Sequence, residues 1–125
     1  MKFKTFMGIY ALVSALFGIG FVLAPGLVLS IYGVDPDLSF RYIGQLFGAA
    51  LISLAVLAWQ IRNTVQPEFR KASVTALLVG EGIGFIASII GQLNGALNVL
   101  GWSVVAVYLL LSAGLAYFYF TEKDS

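Results

Sequence analysis

LLVGEGIGFIAS, residues 77–88, is an apolar stretch with a single acid, Glu81, in its middle. Whether that acid lies inside a helix decides how many times the chain crosses a membrane. Charge spacing frames the question. No charged residue occurs from Thr5 to Val34, from Tyr42 to Ile61, or from Gly82 to Thr121. A membrane-spanning helix needs about 20 mainly apolar residues. The first two runs each hold one span. The third is long enough for the end of one span, a turn and another. With Glu81 interior to a helix there are four, predicted at Thr5–Leu23, Phe40–Gln60, Ser73–Gln92 and Leu100–Phe120. The expected fold is all-α, a four-helix transmembrane bundle running up-down-up-down as one domain over residues 1–125.

Composition requires the same solvent. Of 125 residues 60% are hydrophobic and 10% charged, and the mean hydropathy is +0.96. An ordinary soluble domain carries about 25% charged residues. A soluble core this small would not hide so much apolar surface, so lipid surrounds much of the chain. The net charge of +1 gives no reason to expect nucleic acid as a partner. There is no cysteine and no histidine, which excludes disulfides, thiol chemistry, thiolate or imidazole metal sites and the usual haem ligand. No metal or cofactor is expected. Lys2 and Lys4 ahead of an apolar run resemble a signal peptide. The run continues past such a segment, however, and GFVLAPG (20–26) offers no small-x-small cleavage site, so it reads as a retained first span.

Basic residues favour the cytoplasmic side. With four spans both termini share a side, which gathers Lys2, Lys4 and Lys123 with Arg62, Arg70 and Lys71 and leaves Arg41 opposite. Both termini are therefore expected in the cytoplasm, and the protein in the inner (cytoplasmic) membrane. Aromatic residues suit this layout: Phe3, Phe6, Trp59, Phe69 and Tyr117–Phe120 as an inner girdle, Tyr32, Phe40, Tyr42 and Trp102 as an outer one. In APGLVLSIYGVDPDLS (24–39) the piece GLVLSIYG is too apolar for open solvent and too short to span. A short interfacial helix or re-entrant turn is expected there, ended by Gly33. GQLNGALN (91–98) reads as a tight reversal at Asn94-Gly95, and RNTVQPEFRKAS (62–73) as a polar loop with Ser73 capping the third span.

Lipid tails are as apolar as leucine, so helices associate through close packing at small residues and through interhelical hydrogen bonds. Gly44 and Gly48 make a GxxxG on the second span, Gly80 and Gly84 continue on the third at four-residue steps, and Gly18 follows Ser14 on the first. At about 100° per residue, Leu77, Glu81, Gly84, Phe85, Ser88 and Gln92 share a face, as do Arg41, Gly44, Gln45, Gly48, Ile52 and Ala55. Both faces should look inward, since polar groups left against lipid stay unsatisfied. Ser14, Ser53 and Ser112 fall at the depth of Glu81, with Tyr108 one turn from Ser112, so a layer of hydroxyls around the acid is expected.

A charge at the bilayer centre costs at least ~2.5–3.5 kcal/mol. Three states lower this for Glu81: a neutral, hydrogen-bonded carboxyl, a water-filled cavity, or an ion pair with Arg41, with Gln45 bridging between them. The candidate ligand- or proton-binding residues are thus Glu81, Arg41, Gln45, Ser88, Gln92, Ser14, Tyr108 and Ser112.

The stretches GFVLAPGLVLSIYGVDPD (20–37), FRYIGQLFGAAL (40–51) and LNVLGWSVVAVYLLLS (97–112) resemble a loose group of small bacterial four-span membrane proteins with no assigned activity. The resemblance implies the bundle and no mechanism. Similarity to the small multidrug-resistance exporters is one of architecture only, because those carry their essential acid in the first span. GEGIG (80–84) is no phosphate loop, as no strand precedes it and its spacing is wrong. With one buried acid and no second catalytic group, an enzyme is not expected. Three functions remain: a non-catalytic component packing through glycine-rich faces, as a homo-oligomer or with other membrane subunits; a small transporter or channel using Glu81 as its proton or cation site; and a binder of lipid or another hydrophobic ligand.

Overall fold

A computed structural model describes residues 1–121; Lys123, counted above toward orientation, lies outside the described residues. Five helices and no strands form among them: α1 Phe3–Leu23, α2 Pro25–Ile31, α3 Leu38–Ile61, α4 Pro67–Leu93 and α5 Gly101–Thr121. The helices α1, α3, α4 and α5 are each long and apolar enough to cross a membrane. The chain is a multi-pass, all-helical membrane protein.

The largest departure from the sequence reading is at α4. It begins at Pro67, not Ser73, so most of the expected polar loop is helical. Proline fits the first helical turn because its missing N–H is unpaired there in any helix, and Glu68 complements the helix dipole. The extension is held by Arg70, whose guanidinium lies 4.1 Å from the centre of the Phe3 ring. Ser73 is interior to the helix and caps nothing. The α3 start is capped as its sequence suggests: Phe40 N donates to Asp37 Oδ1 at 2.8 Å.

Two helix pairs make up the bundle, α1 with α3 and α4 with α5, and the short α2 packs on α1 and α3. Within each pair glycine sets the approach. A Cβ at Gly48 would stand 2.7 Å from the Gly18 carbonyl oxygen, and one at Gly18 would stand 2.9 Å from that of Gly48. Backbone meets backbone there, which leucine or even alanine would prevent. Gly44 receives the Phe21 ring, whose Cδ1 lies 3.2 Å from where a Cβ would be. In the second pair the Tyr108 ring lies directly on Gly84, and Gln92 on Gly101. Gly80, grouped with these by spacing, has nothing within 4 Å of its would-be Cβ and takes no part in packing the chain.

The pairs meet each other mainly at the end that holds Phe3 and Phe118. There Phe6 nests against Gly114, and the Phe3 and Phe118 rings pack edge-on at 5.3 Å. Met7, Tyr10, Val74, Leu77 and Leu115 complete this core. At the opposite end the connections close over the bundle. Gly33 (φ +79°) and Gly95 (φ +77°) take left-handed conformations that glycine adopts without strain. Asn98 then joins the two connections. Its N–H donates to the Tyr32 carbonyl at 2.9 Å, and its Nδ2 donates to that of Ile31, also at 2.9 Å.

Candidate functional site

Between the tight Phe3 end and the Asn98 closure the two pairs stand apart. A cavity of about 240 Å³ fills the gap. Ser14 and Leu111 line it near Glu81, and Phe21 and Val104 lie two turns further on. Seven residues of helix separate Ser14 from Phe21, so it runs roughly 10 Å. Phe17, Phe47, Leu51, Val107 and Tyr108 form its walls, and Leu29, Tyr32, Val34 and Leu97 its cover. The reason for the gap is visible in the side chains. Aromatic residues bridge the pairs at Phe3, Phe6 and Phe118, whereas the equivalent large residues at the other end serve their own pair, Phe21 on Gly44 and Tyr108 on Gly84.

Glu81 lies at the floor of this cavity and is 8% exposed. Tyr10 Oη donates to Glu81 Oε1 at 2.6 Å. Tyr10 itself is fully buried, so the hydrogen bond crosses between the pairs inside the core. The second carboxyl oxygen, Oε2, has no hydrogen-bond partner among the described residues. It is not fully enclosed by protein. With Glu81 in the lining, this oxygen is left to face the cavity. The chemistry assembled here is a carboxyl oriented by a phenol, at the base of an otherwise apolar chamber. Among the described residues no three His, Cys, Asp or Glu side chains gather to hold a metal.

The residues singled out by sequence divide clearly. Ser14 and Tyr108 line the cavity with Glu81. Ser53 faces outward, and Ser112 lies off the cavity with its Oγ buried and unpaired. Ser88 Oγ is spent on the Phe85 carbonyl at 2.8 Å, and Gln92 Nε2 on that of Asn98 at 2.9 Å. Arg41 and Gln45 are not inward-facing as expected; both are exposed. Gln45 Nε2 donates to the Val22 carbonyl at 3.2 Å, and the Arg41 stem lies over Gly26. Neither contacts Glu81, so of the three states open to the acid the ion pair and its glutamine bridge do not form. The cause is helix pairing: α3 packs on α1 and α2, and its polar end meets their elbow rather than α4.

Tyr10 was missed. The signal was present, since it precedes Ser14 by one helical turn on the same face. Its Cα lies at another depth than that of Glu81, and a tyrosine carries its hydroxyl more than a turn from its own backbone. No family model, curated protein or solved structure matches this chain.

Proposed function

We propose that this chain is a non-catalytic protein of the cytoplasmic membrane that binds one small hydrophobic molecule between its helix pairs, with Glu81 as the polar anchor. The observation that carries the reading is the Glu81 carboxyl at the floor of an apolar cavity of about 240 Å³. Binding sites of this kind are mostly apolar, with few polar groups that fix orientation. An unused acceptor at the end of an apolar chamber fits that description. The basic-residue bias puts the Phe3 end in the cytoplasm, so the cavity occupies the outer half of the bilayer beneath α2, which lies at the interface.

The other two functions draw less support. Gly18, Gly44, Gly48 and Gly84 are occupied inside the chain, so these glycines are not available to hold a second copy or another subunit. A channel through Glu81 would have to pass the buried core of Phe3, Phe6, Leu115 and Phe118. That core closes the cytoplasmic end.

Occupancy tests the proposal. Val107 lines the cavity, and Val107→Phe fills part of it. Protein extracted in mild detergent is expected to release a hydrophobic molecule into organic solvent, detected by mass spectrometry. The filled variant should release at least about tenfold less, as loss of a ring-sized volume removes the site. Equal amounts from both proteins would refute binding at this cavity.

A further inference from the structure

The chamber's chemistry also selects among hydrophobic ligands. Building on the binding reading above, we propose that the site takes a small lipophilic monoamine, held as its ammonium by Glu81. Volume sets the size. An apolar cavity of about 150 Å³ admits benzene, and this one, at about 240 Å³, holds on the order of ten non-hydrogen atoms. One ring or a short branched chain fills it.

Charge sets the class. No basic side chain lines the cavity, and Arg41, Lys2 and Lys4 are exposed elsewhere. An anion entering would find no basic group to pair with, and an unpaired buried charge is costly. A neutral alcohol would satisfy Glu81 Oε2 with one hydrogen bond. An amine does so too: whether it arrives charged at the carboxylate or takes the proton of the neutral carboxyl, the result is an ammonium–carboxylate pair, which strengthens in low dielectric. The ammonium carries three donors, and its neighbours offer further acceptance. Ser14 lies within the same lining, and the Tyr108 ring, packed on Gly84 one turn from Glu81, exposes part of its surface to the cavity. An aromatic face attracts a cation. Tyr10, already donating to Oε1, leaves Oε2 as the open acceptor and fixes its direction.

Three probes of one shape separate these terms: phenethylamine, phenethyl alcohol and phenylacetate. Their affinities are measured by saturation-transfer NMR on the whole chain in detergent micelles, with wild type, Glu81→Gln and Val107→Phe. The amine is expected to bind wild type at least about tenfold tighter than the alcohol, the margin of one charge-assisted hydrogen bond. Phenylacetate should show no saturable binding. Glu81→Gln keeps an acceptor for Tyr10 and should remove the amine's advantage while leaving the alcohol within about threefold, which also reports that the variant is folded. Val107→Phe should weaken both. Equal binding of amine and alcohol to wild type overturns the amine assignment and leaves the cavity as a hydrophobic site. Probe binding that Val107→Phe does not alter reflects the micelle and overturns both readings, as does the absence of saturable binding by every probe. Should Glu81→Gln fail to fold, the wild-type preference among the three probes decides alone.

Discussion

Removing the Tyr10 hydroxyl should uncouple the helix pairs by a predictable amount. Tyr10 is 0% exposed, so phenylalanine fills the same space and the change is confined to one hydrogen bond. That bond is 2.6 Å long and buried. Hydrogen bonds to charged groups contribute about 1.5–3 kcal/mol in soluble proteins. Within membrane bundles the measured coupling averages about 0.6 kcal/mol and reaches about 1.7. The short distance and the full burial of the donor place this pair near the upper membrane value, on the order of 1.5 kcal/mol. Tyr10→Phe leaves Glu81 Oε1 without its donor, and Glu81→Leu leaves the Tyr10 hydroxyl without its acceptor. Tyr10→Phe with Glu81→Leu leaves neither orphaned. The double variant should therefore be less destabilised than the sum of the single ones by about 1–2 kcal/mol, a figure that includes the cost of each orphan. Reversible unfolding in mixed detergent micelles, followed by circular dichroism, reads all four proteins. Additivity within about 0.3 kcal/mol would show that the bond does not tie the pairs together, and the account of Glu81 as an oriented anchor would fall with it.

Other perturbations test other parts of the bundle. Gly48→Ala drives a methyl to 2.7 Å from the Gly18 carbonyl and should cost about 1–3 kcal/mol by overpacking. Gly80→Ala meets open space and should stay within about 0.5 kcal/mol of wild type in the same assay. Asn98→Ala removes the bond to the Ile31 carbonyl and that from Leu100 N to Asn98 Oδ1; amide exchange at Asn98 and Leu100 should quicken by about tenfold while the α1–α3 helices keep their protection. The chain has no cysteine, so orientation can be read by thiol labelling. Asn63→Cys should react with an impermeant reagent only after permeabilisation and Asp35→Cys in intact cells, and the reverse pattern would overturn the positive-inside assignment.

Much of the layout was legible residue by residue. Charge-free runs placed the four long helices to within a few residues, except where Pro67 opened α4 early. Apolar sequence marks only the part of a helix inside the bilayer, whereas an amphipathic turn carrying Glu68, Arg70 and Lys71 extends a helix equally well into the polar layer. Gly33 and Gly95 were legible because their chemistry is local: each sits where the chain needs a positive φ. Glu81 stood out for the same reason, as an acid in an apolar run. Its partner did not. Arg41 carries the complementary charge and the serines share the depth of Glu81, yet the hydrogen bond comes from a side chain long enough to reach from another level. Spacing placed Gly80 and Gly84 on related faces, but only Gly84 meets a neighbour, because Tyr108 of α5 happens to lie across it.

Partition into lipid acts on each segment separately, so amino-acid order alone was enough to locate the four long apolar helices, the turns at Gly33 and Gly95 and the single acid that had to be accommodated. Which helices pair, where their glycines interlock and where a chamber is left open depend on side chains that meet from distant parts of the chain. Tyr10 and Glu81 lie on helices whose backbones do not approach closely, so only the assembled bundle, filled by aromatics at one end and held apart at the other, brings the phenol to the carboxyl and leaves the remaining oxygen facing a cavity.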